Sequence, residues 1–330
     1  MVFDFTPLTA WHFSLFLITF LASFVWIHTL KSKGKKIAYA GIPLVAIGII
    51  ACAFVLKEPA LAFGLLVAGL LIIFFGGLDE KYKLPAYAQF IAQIAICVVV
   101  ILSGWVIPYV TNPVGEGVLY LSMNSSHLLT YAPLWTLIWL LLMINAMNWL
   151  DGLDGLSSGV GLSAFVVLAA ISLLPATQDN RTLSLAIIGL GIFGGFFLWN
   201  APPAKLYLGT SGAWFLGLLI ALTALLGGGK IATTLLVLAI PVIDTALVVV
   251  ERLRRGQKPW IGDKKYHLHY RLTSKGWREN RTTYVLIAAS LLLGILAVLG
   301  HTWLKLLLFA AAAAVLFFII HIRQRSILKT

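Results

Sequence analysis

The sequence predicts an all-α, polytopic integral membrane protein, a single membrane domain over residues 1–330, and three observations carry that prediction. Hydrophobic residues make up 60% of the chain and charged ones 11%, with a mean hydropathy of +0.97. Soluble domains carry about 25% charged residues. The apolar residues fall into long runs, and a helix needs about 20 of them to cross a bilayer core. The basic residues, finally, are confined almost wholly to alternate loops.

On that ruler eleven spans are read, at 12–30, 37–56, 60–76, 87–108, 132–149, 158–174, 183–199, 207–226, 231–250, 283–299 and 302–321. The first follows Met-Val-Phe-Asp-Phe-Thr-Pro, with neither a basic leader nor a small-residue cleavage site, so it reads as a retained helix. An odd count puts the two termini on opposite sides. If residue 1 is outside, the inside loops hold Lys31, Lys33, Lys35, Lys36, Lys81, Lys83, Lys205, the ten Lys and Arg between 251 and 281, Arg323, Arg325 and Lys329. That is twenty of the 24 basic residues, and only Lys57, Arg181, Lys230 and Lys305 stay outside. The positive-inside rule therefore reads the N-terminus as outside and the C-terminus as cytoplasmic. The net charge of +12 is accounted for by topology, and no nucleic-acid partner is needed to explain it. Cys52 and Cys97 sit inside apolar runs, without metal-ligand spacing or a disulfide framework.

This topology brings four polar loops, about 77–86, 145–157, 199–212 and 251–282, to the cytoplasmic side. They carry Asp79 and Glu80; Asn148, Asp151 and Asp154; Asn200 and Lys205; and Asp263, His267 and His269. Ionisable groups at membrane-helix ends are costly unless they face protein, water, metal or substrate. The outside loop 109–131 offers Glu116, Asn124 and His127 without recurring spacing.

The most informative stretch is Asn145-Ala-Met-Asn148-Trp-Leu-Asp151-Gly-Leu-Asp154-Gly155-Leu156, at the end of the run Leu134–Ile144. Three-residue spacing on a helical turn turns Asn148, Asp151 and Asp154 toward one face. The glycines at 152 and 155 let the backbone leave the helix and approach a ligand. A polar helix end with turn glycines is the plainer reading. Adjacent Asp79 and Glu80 suit a base or a metal ligand, or a solvated pair balancing Lys81 and Lys83. The stretch Asp263-Lys-Lys-Tyr-His267-Leu-His269-Tyr-Arg271 suits phosphate better than a metal, because Lys264, Lys265 and Arg271 crowd it; a basic loop on anionic lipid is its alternative. Asp244 reads as a buried, hydrogen-bonded helix residue, and His12, His28, His127, His301 and His321 as interfacial anchors. There is no Gly-x-x-x-x-Gly-Lys-Ser/Thr loop, no Gly-x-Gly-x-x-Gly in a strand–helix context and no Gly-x-Ser-x-Gly elbow, so the chemistry has to come from helix ends.

The order of these motifs over about residues 70–275 resembles the polyprenyl-phosphate N-acetylhexosamine-1-phosphate transferases, which include undecaprenyl-phosphate GlcNAc-1-phosphate transferases and phospho-MurNAc-pentapeptide translocases. Asn145–Leu156 fits that family's Asn-x-x-Asn-x-x-Asp-Gly-x-Asp-Gly-Leu. Asn200-Ala-Pro-Pro-Ala-Lys-Leu-Tyr207-Leu-Gly209-Thr210-Ser-Gly212, Pro241-Val-Ile-Asp244 and His267-Leu-His269 follow in order. The His-x-His form with Arg271 and Leu272 is similar to the GlcNAc branch. The resemblance implies transfer of a sugar-1-phosphate from a UDP-sugar to undecaprenyl phosphate, with Mg2+ or Mn2+, at the cytoplasmic face of the bacterial inner membrane, as a first membrane step in cell-envelope polysaccharide synthesis. It also implies a homodimer. Asp79 would be the base or lipid-phosphate-orienting carboxylate, with Glu80 beside it, and Asn148 and Asp151 would position the metal–diphosphate centre. Gly152, Leu153 and Asp154 would hold uracil, Tyr207 would stack on it, Asn200 and Lys205 would contact the nucleotide, and His267, His269 and Arg271 would bind phosphate.

Departures from the family's pattern accompany the match. The family's Asp-Asp is Asp79-Glu80, its lysine in the Leu84–Gln93 segment is Gln89, its last histidine is Tyr270, and its magnesium-binding aspartate ten residues past Asn200 is Thr210. The basic stretch between spans one and two is reduced to Lys31–Ile37. The metal would then fall to Asp151, with Asp79 or Glu80. The alternative is a catalytically degraded relative that binds nucleotide-sugar or polyprenyl phosphate without turnover. A transporter would carry mid-span charge and inverted repeats; Asp244 is mid-span, but no repeat is evident.

Overall fold

The computed structural model describes residues 8–31, 40–112, 117–226, 230–258 and 266–321. Asp263, Lys264, Lys265, Glu116, Lys33, Lys35, Lys36, Arg323, Arg325 and Lys329 lie outside the described residues. The helices are α1 (Ala10–Lys31), α2 (Gly41–Val55), α3 (Pro59–Tyr82), α4 (Ala86–Leu102), α5 (Ala132–Leu150), α6 (Leu156–Ser172), α7 (Asn180–Asn200), α8 (Gly209–Leu225), α9 (Ile231–Val237), α10 (Ala239–Arg254), α11 (Leu268–Ser274), α12 (Glu279–Leu299) and α13 (Thr302–His321).

Each of the eleven apolar segments coincides with a helix or, at 231–250, with the pair α9 and α10. By length and composition, α3, α5, α7, α12 and α13 are fit to cross a membrane, and the bent pair α9–α10 would make a sixth. That is fewer than eleven full-length spans. The other five apolar helices are shorter: α2, α4, α6 and α8 have 15 or 17 residues, and the apolar part of α1 is Ala10–Trp26. The chain is a multi-pass, helical membrane protein on these grounds. In the loop after α4, β1 (Tyr109–Thr111) and β2 (Val118–Tyr120) pair as a short antiparallel ribbon, with Tyr109 opposite Tyr120.

The segment read as one span at 231–250 is two helices bent by 79°. Pro241 lies in the first turn of α10, where it has no N–H to give the carbonyl of Val237 and its ring crowds that turn. The break sets α10 at its own angle, which later decides where Asp244 points.

α8 is the axis of the bundle. It is apolar on every side, which is the pattern of a helix enclosed by others, and nearly all its residues are buried, Trp214 and Phe215 fully. Lipid chains are as apolar as leucine, so close packing and polar contacts must join the helices. Trp139 Nε1 on α5 donates to Ala221 O on α8 at 3.2 Å, and Ser23 Oγ on α1 donates to Ile192 O on α7 at 2.8 Å. At Gly76 a β-carbon would lie 2.5 Å from Ser211 Oγ, so α3 and α8 touch there backbone to side chain.

The bundle has two polar ends. α7, at 21 residues, is about 30 Å long, which matches a bilayer core. Its N-terminal end is closed by Asp179, whose carboxylate accepts from the N–H of Thr182 at 3.2 Å and of Arg181 at 3.3 Å. Fully buried Lys230, just before α9, reaches Thr182 Oγ1 at 3.0 Å and Asp179 at 3.6 Å. Lys305 on α13 donates to Thr233 on α9 at the same end. Burial alone would push the Asp179 carboxyl up, but the Thr182 hydroxyl, the Lys230 ammonium and the two N–H groups outweigh it and hold it below the usual value.

A carboxyl lowered on folding stabilises fully above its unfolded value, about pH 4, and that stabilisation fades as pH falls through the lowered one. Asp179→Ala should therefore cost about 1–2 kcal/mol at neutral pH, the usual worth of such a cap. The deficit should shrink on acidification, as thermal unfolding in detergent at neutral and acid pH will measure.

Candidate active site

The other end gathers the C-termini of α3, α5 and α7 and the N-termini of α4, α6, α8 and α12. Three hydrogen-bonded groups are built there, each around a carboxylate.

The first joins α3, α4 and α8. Asp79 is 6% exposed and accepts from Gln89 Nε2 at 2.9 Å through one oxygen and from Thr210 Oγ1 at 2.6 Å through the other. Gln89 also donates to Leu84 O at 3.1 Å. Glu80 Oε1 accepts from the N–H of Ser211 at 3.0 Å, while its buried Oε2 has no hydrogen-bond partner among the described residues. One turn beyond Gln89, buried Gln93 accepts from Asn145 Nδ2 at 2.7 Å, which ties α4 to the start of the asparagine motif on α5. Gln89 and Thr210 thus converge on one carboxylate from two helices.

The second group is the motif itself. α5 ends at Leu150, so only Asn148 is helical, and the three side chains do not share one helical face as the spacing suggested. Asp151 closes the helix and accepts from Ser157 Oγ at 2.5 Å. Asp154 turns the other way and accepts from the N–H of Ala204 at 2.8 Å, while its carbonyl accepts from Thr283 Oγ1 on α12 at 3.0 Å. The turn is possible because Gly155 takes φ +70°, and a β-carbon there would sit 3.0 Å from Pro202. Asn148 is half-buried and makes no hydrogen bond among the described residues.

The Leu153 side chain packs in the core. Asn200 is 3% exposed and spends both ends of its amide within the chain, accepting from Ser158 Oγ at 2.6 Å and donating to Leu206 O at 2.9 Å. Those contacts tie the 201–208 loop to α6. That loop leaves Lys205 exposed, with its ammonium 5.6 Å from the Trp199 ring, and Tyr207 55% exposed. Among the described residues no ring pairs with Tyr207, so its face is open for stacking.

The third group is formed by α10 and α11. Asp244 is buried, as read from sequence, but its partner gives it a task. One oxygen lies 2.8 Å from His267 Nδ1 and the other accepts from the N–H of Leu268 at 2.7 Å. This fixes the ring and starts α11, with His267 as its extended N-cap and His269 in its first turn. The His267 ring meets Trp149 edge to face at 5.5 Å, and the Arg252 guanidinium covers Trp149 at 5.2 Å. His269 stacks near His267 and Tyr270, at 5.8 and 4.3 Å. Arg271 Nε donates to Tyr266 O at 2.7 Å.

The last two groups meet at Gly152. A β-carbon there would lie 2.5 Å from His269 Nε2 and 2.6 Å from the Tyr270 hydroxyl. The hydroxyl donates to Gly152 O at 3.2 Å. Burial, then the charges of Asp151 and Glu279, raise the Tyr270 phenol above its ordinary value, so it stays a donor. The sequence reading passed over Gln93, Trp149, Ser157, Ser158, Arg252 and Thr283. Trp149 and the serine pair sit inside or beside the motif; the others carry no local signal.

The donor chemistry suits a hard dication: carboxylate oxygens, with buried Glu80 Oε2 unpartnered among the described residues. Among the described residues no three His, Cys, Asp or Glu side chains converge as a metal cage. A dication held here would complete its shell with water and substrate phosphate, as magnesium does with one or two protein carboxylates.

Comparison with known proteins agrees with this construction. Residues 62–228 match the family model described as glycosyl transferase family 4. The chain is 28% identical, over 73% of its length and 67% of the relative's, to the probable undecaprenyl-phosphate N-acetylglucosaminyl 1-phosphate transferase of Bacillus subtilis. It is 30% identical, over 82% of its length and 70% of the relative's, to the decaprenyl-phosphate N-acetylglucosaminephosphotransferase of Mycobacterium tuberculosis. A shorter match, 33% identical over 48% of both chains, is to the phospho-N-acetylmuramoyl-pentapeptide-transferase of Bacillus subtilis. With half of its length in that model and the motif loops arranged around Asp79, Asp151 and Asp244, the chain belongs to glycosyl transferase family 4, among the polyprenyl-phosphate N-acetylhexosamine-1-phosphate transferases.

Proposed function

We propose that this chain transfers a sugar-1-phosphate, GlcNAc-1-phosphate or a close analogue, from a UDP-sugar to undecaprenyl phosphate at the cytoplasmic side of the bacterial inner membrane. A phosphate oxygen of the lipid attacks the sugar-bearing phosphorus, the bond from that phosphorus to the bridging oxygen breaks, and UMP leaves. The observation that carries this reading is the meeting at Gly152 of the Asp151–Asp154 turn with the histidines of α11. That contact brings His269 and Tyr270 against the turn that carries Asp151, and charge-balanced handling of a diphosphate calls for such a meeting of groups.

The residues divide the work by position. Tyr207, with its open ring face, would stack on uracil, and Lys205 and the loop shaped by Asn200 would flank the nucleotide. His267, aimed by Asp244, and His269 would hold phosphate oxygens, supported by Arg271. Asp79, fixed by Gln89 and Thr210, would orient the lipid phosphate. Magnesium, when bound, would offset the diphosphate's charge, held by Asp151 with Asp79 or Glu80; Asn148 keeps a free amide beside them. The basic loops, through the positive-inside rule, support a cytoplasmic position for this end of the bundle.

A catalytically degraded relative is not favoured, because Asp79, Asp151, Asp244 and His267 are present and hydrogen-bonded, and His269 packs its ring against His267 and Tyr270. The test is UMP release from UDP-GlcNAc by purified protein with undecaprenyl phosphate and magnesium. Asp151→Asn should lower it by about a hundredfold or more, the scale of losing one charged stabilising group. Bound UDP-GlcNAc without any release, across several UDP-sugars, would contradict the proposal.

Two further variants separate the groups. Asp244→Asn should keep the fold but release His267, lowering turnover about tenfold, the worth of one hydrogen bond to a charged group. Thr210→Asp sets a carboxylate against Asp79. It should lower the magnesium concentration needed for half-maximal turnover and destabilise the protein in EDTA; an unchanged magnesium requirement would argue against Thr210 lining the metal position.

A further inference from the structure

A second space lies on the other side of α11. It is a cavity of about 660 Å3, within the range of small-molecule sites, lined by residues from α10, α11, α12 and α13, among them Leu268, Leu272, Lys275, Trp277, Ala289 and Leu316. Leu268, Leu272 and Lys275 are four and three residues apart, so they share one face of the α11 segment. His269 and Tyr270 face the opposite way, onto Gly152. α11 is therefore a partition, with the polar site on one side and an apolar cavity on the other.

The rim of the cavity is basic and aromatic. Lys275 is exposed, and the Arg281 guanidinium lies 4.6 Å over the Trp277 ring. An apolar body with a cationic rim, placed between helices at a membrane surface, matches a lipid with an anionic headgroup. Lys275 ends the face of α11 turned from Gly152, so a headgroup held on it lies on the side of α11 away from Gly152. That placement favours a resident bilayer lipid over the lipid that reacts.

We propose that this cavity binds an anionic phospholipid of the surrounding bilayer, its acyl chains between α10, α12 and α13 and its headgroup on Lys275 and Arg281, and that the bound lipid braces α11 against the Asp151–Asp154 turn. The site is separate from the donor and acceptor positions proposed above, and its test does not require turnover, so either reading can fail alone.

The protein is reconstituted in vesicles of equal parts phosphatidylglycerol and phosphatidylcholine, and retained lipid is counted by native mass spectrometry. Wild type should retain phosphatidylglycerol in preference. Lys275→Gln and Arg281→Gln, both at exposed positions, should each reduce that preference about fivefold, equal to about 1 kcal/mol per basic residue. Ala289→Trp, which fills the cavity, should expel the lipid. Should Ala289→Trp fail to fold, the two rim variants decide alone. Unchanged retention in the rim variants would overturn the proposal. So would displacement of phosphatidylglycerol from wild type by undecaprenyl phosphate, which would give the cavity to the acceptor.

Discussion

An ionised carboxylate buried between membrane helices is costly unless donors surround it, and the polar end of this bundle is arranged around that constraint. Asp79 takes one donor from α4 and one from α8. Asp151 and Asp154 take theirs from α6 and from the 201–208 loop. Asp244 takes a ring nitrogen and a backbone N–H from the start of α11. Each carboxylate is thus a joint between elements far apart in sequence. Satisfying the charges assembles the site, and a fully satisfied polar network holds one arrangement.

The far end of the bundle makes that arrangement rigid. Asp179, Thr182 and Lys230 bind the start of α7 to the approach to α9, and Lys305 adds α13. α7 then carries this anchor about 30 Å to Asn200. The break at Leu238 lets α9 stay with the anchored end while α10 swings by 79° to deliver Asp244 and Arg252 to the site. α11 completes the design as a short wall that is polar toward Gly152 and apolar toward the cavity behind it.

The helices were legible in the sequence because hydropathy reports directly on what a bilayer accepts, and all eleven apolar segments are helical. The motif at Asn145–Leu156 was legible as chemistry because polar groups there have no other reason to interrupt an apolar run. What was not legible is tertiary. Three-residue spacing suggested a shared face for Asn148, Asp151 and Asp154, but the helix stops at Leu150 and Gly155 reverses the chain, so Asp151 and Asp154 diverge. Gln89 and Thr210 stood out singly as departures from a motif; only packing of α4 and α8 on α3 shows that they share Asp79. Asp244 read as a buried structural residue, and it is buried, but its histidine partner is 23 residues away across a loop. The ribbon after α4 rests on a three-residue pairing too short to announce itself.

The central claim is that segments scattered from α3 to α11 form one nucleotide-sugar site. Hydrogen exchange of the purified protein with and without UDP-GlcNAc and magnesium tests it most directly. The account predicts joint protection of residues 148–156, 199–211 and 266–272, with no change around Asp179 and Lys230. Protection confined to one of these segments, or appearing at the Asp179 end instead, would contradict it.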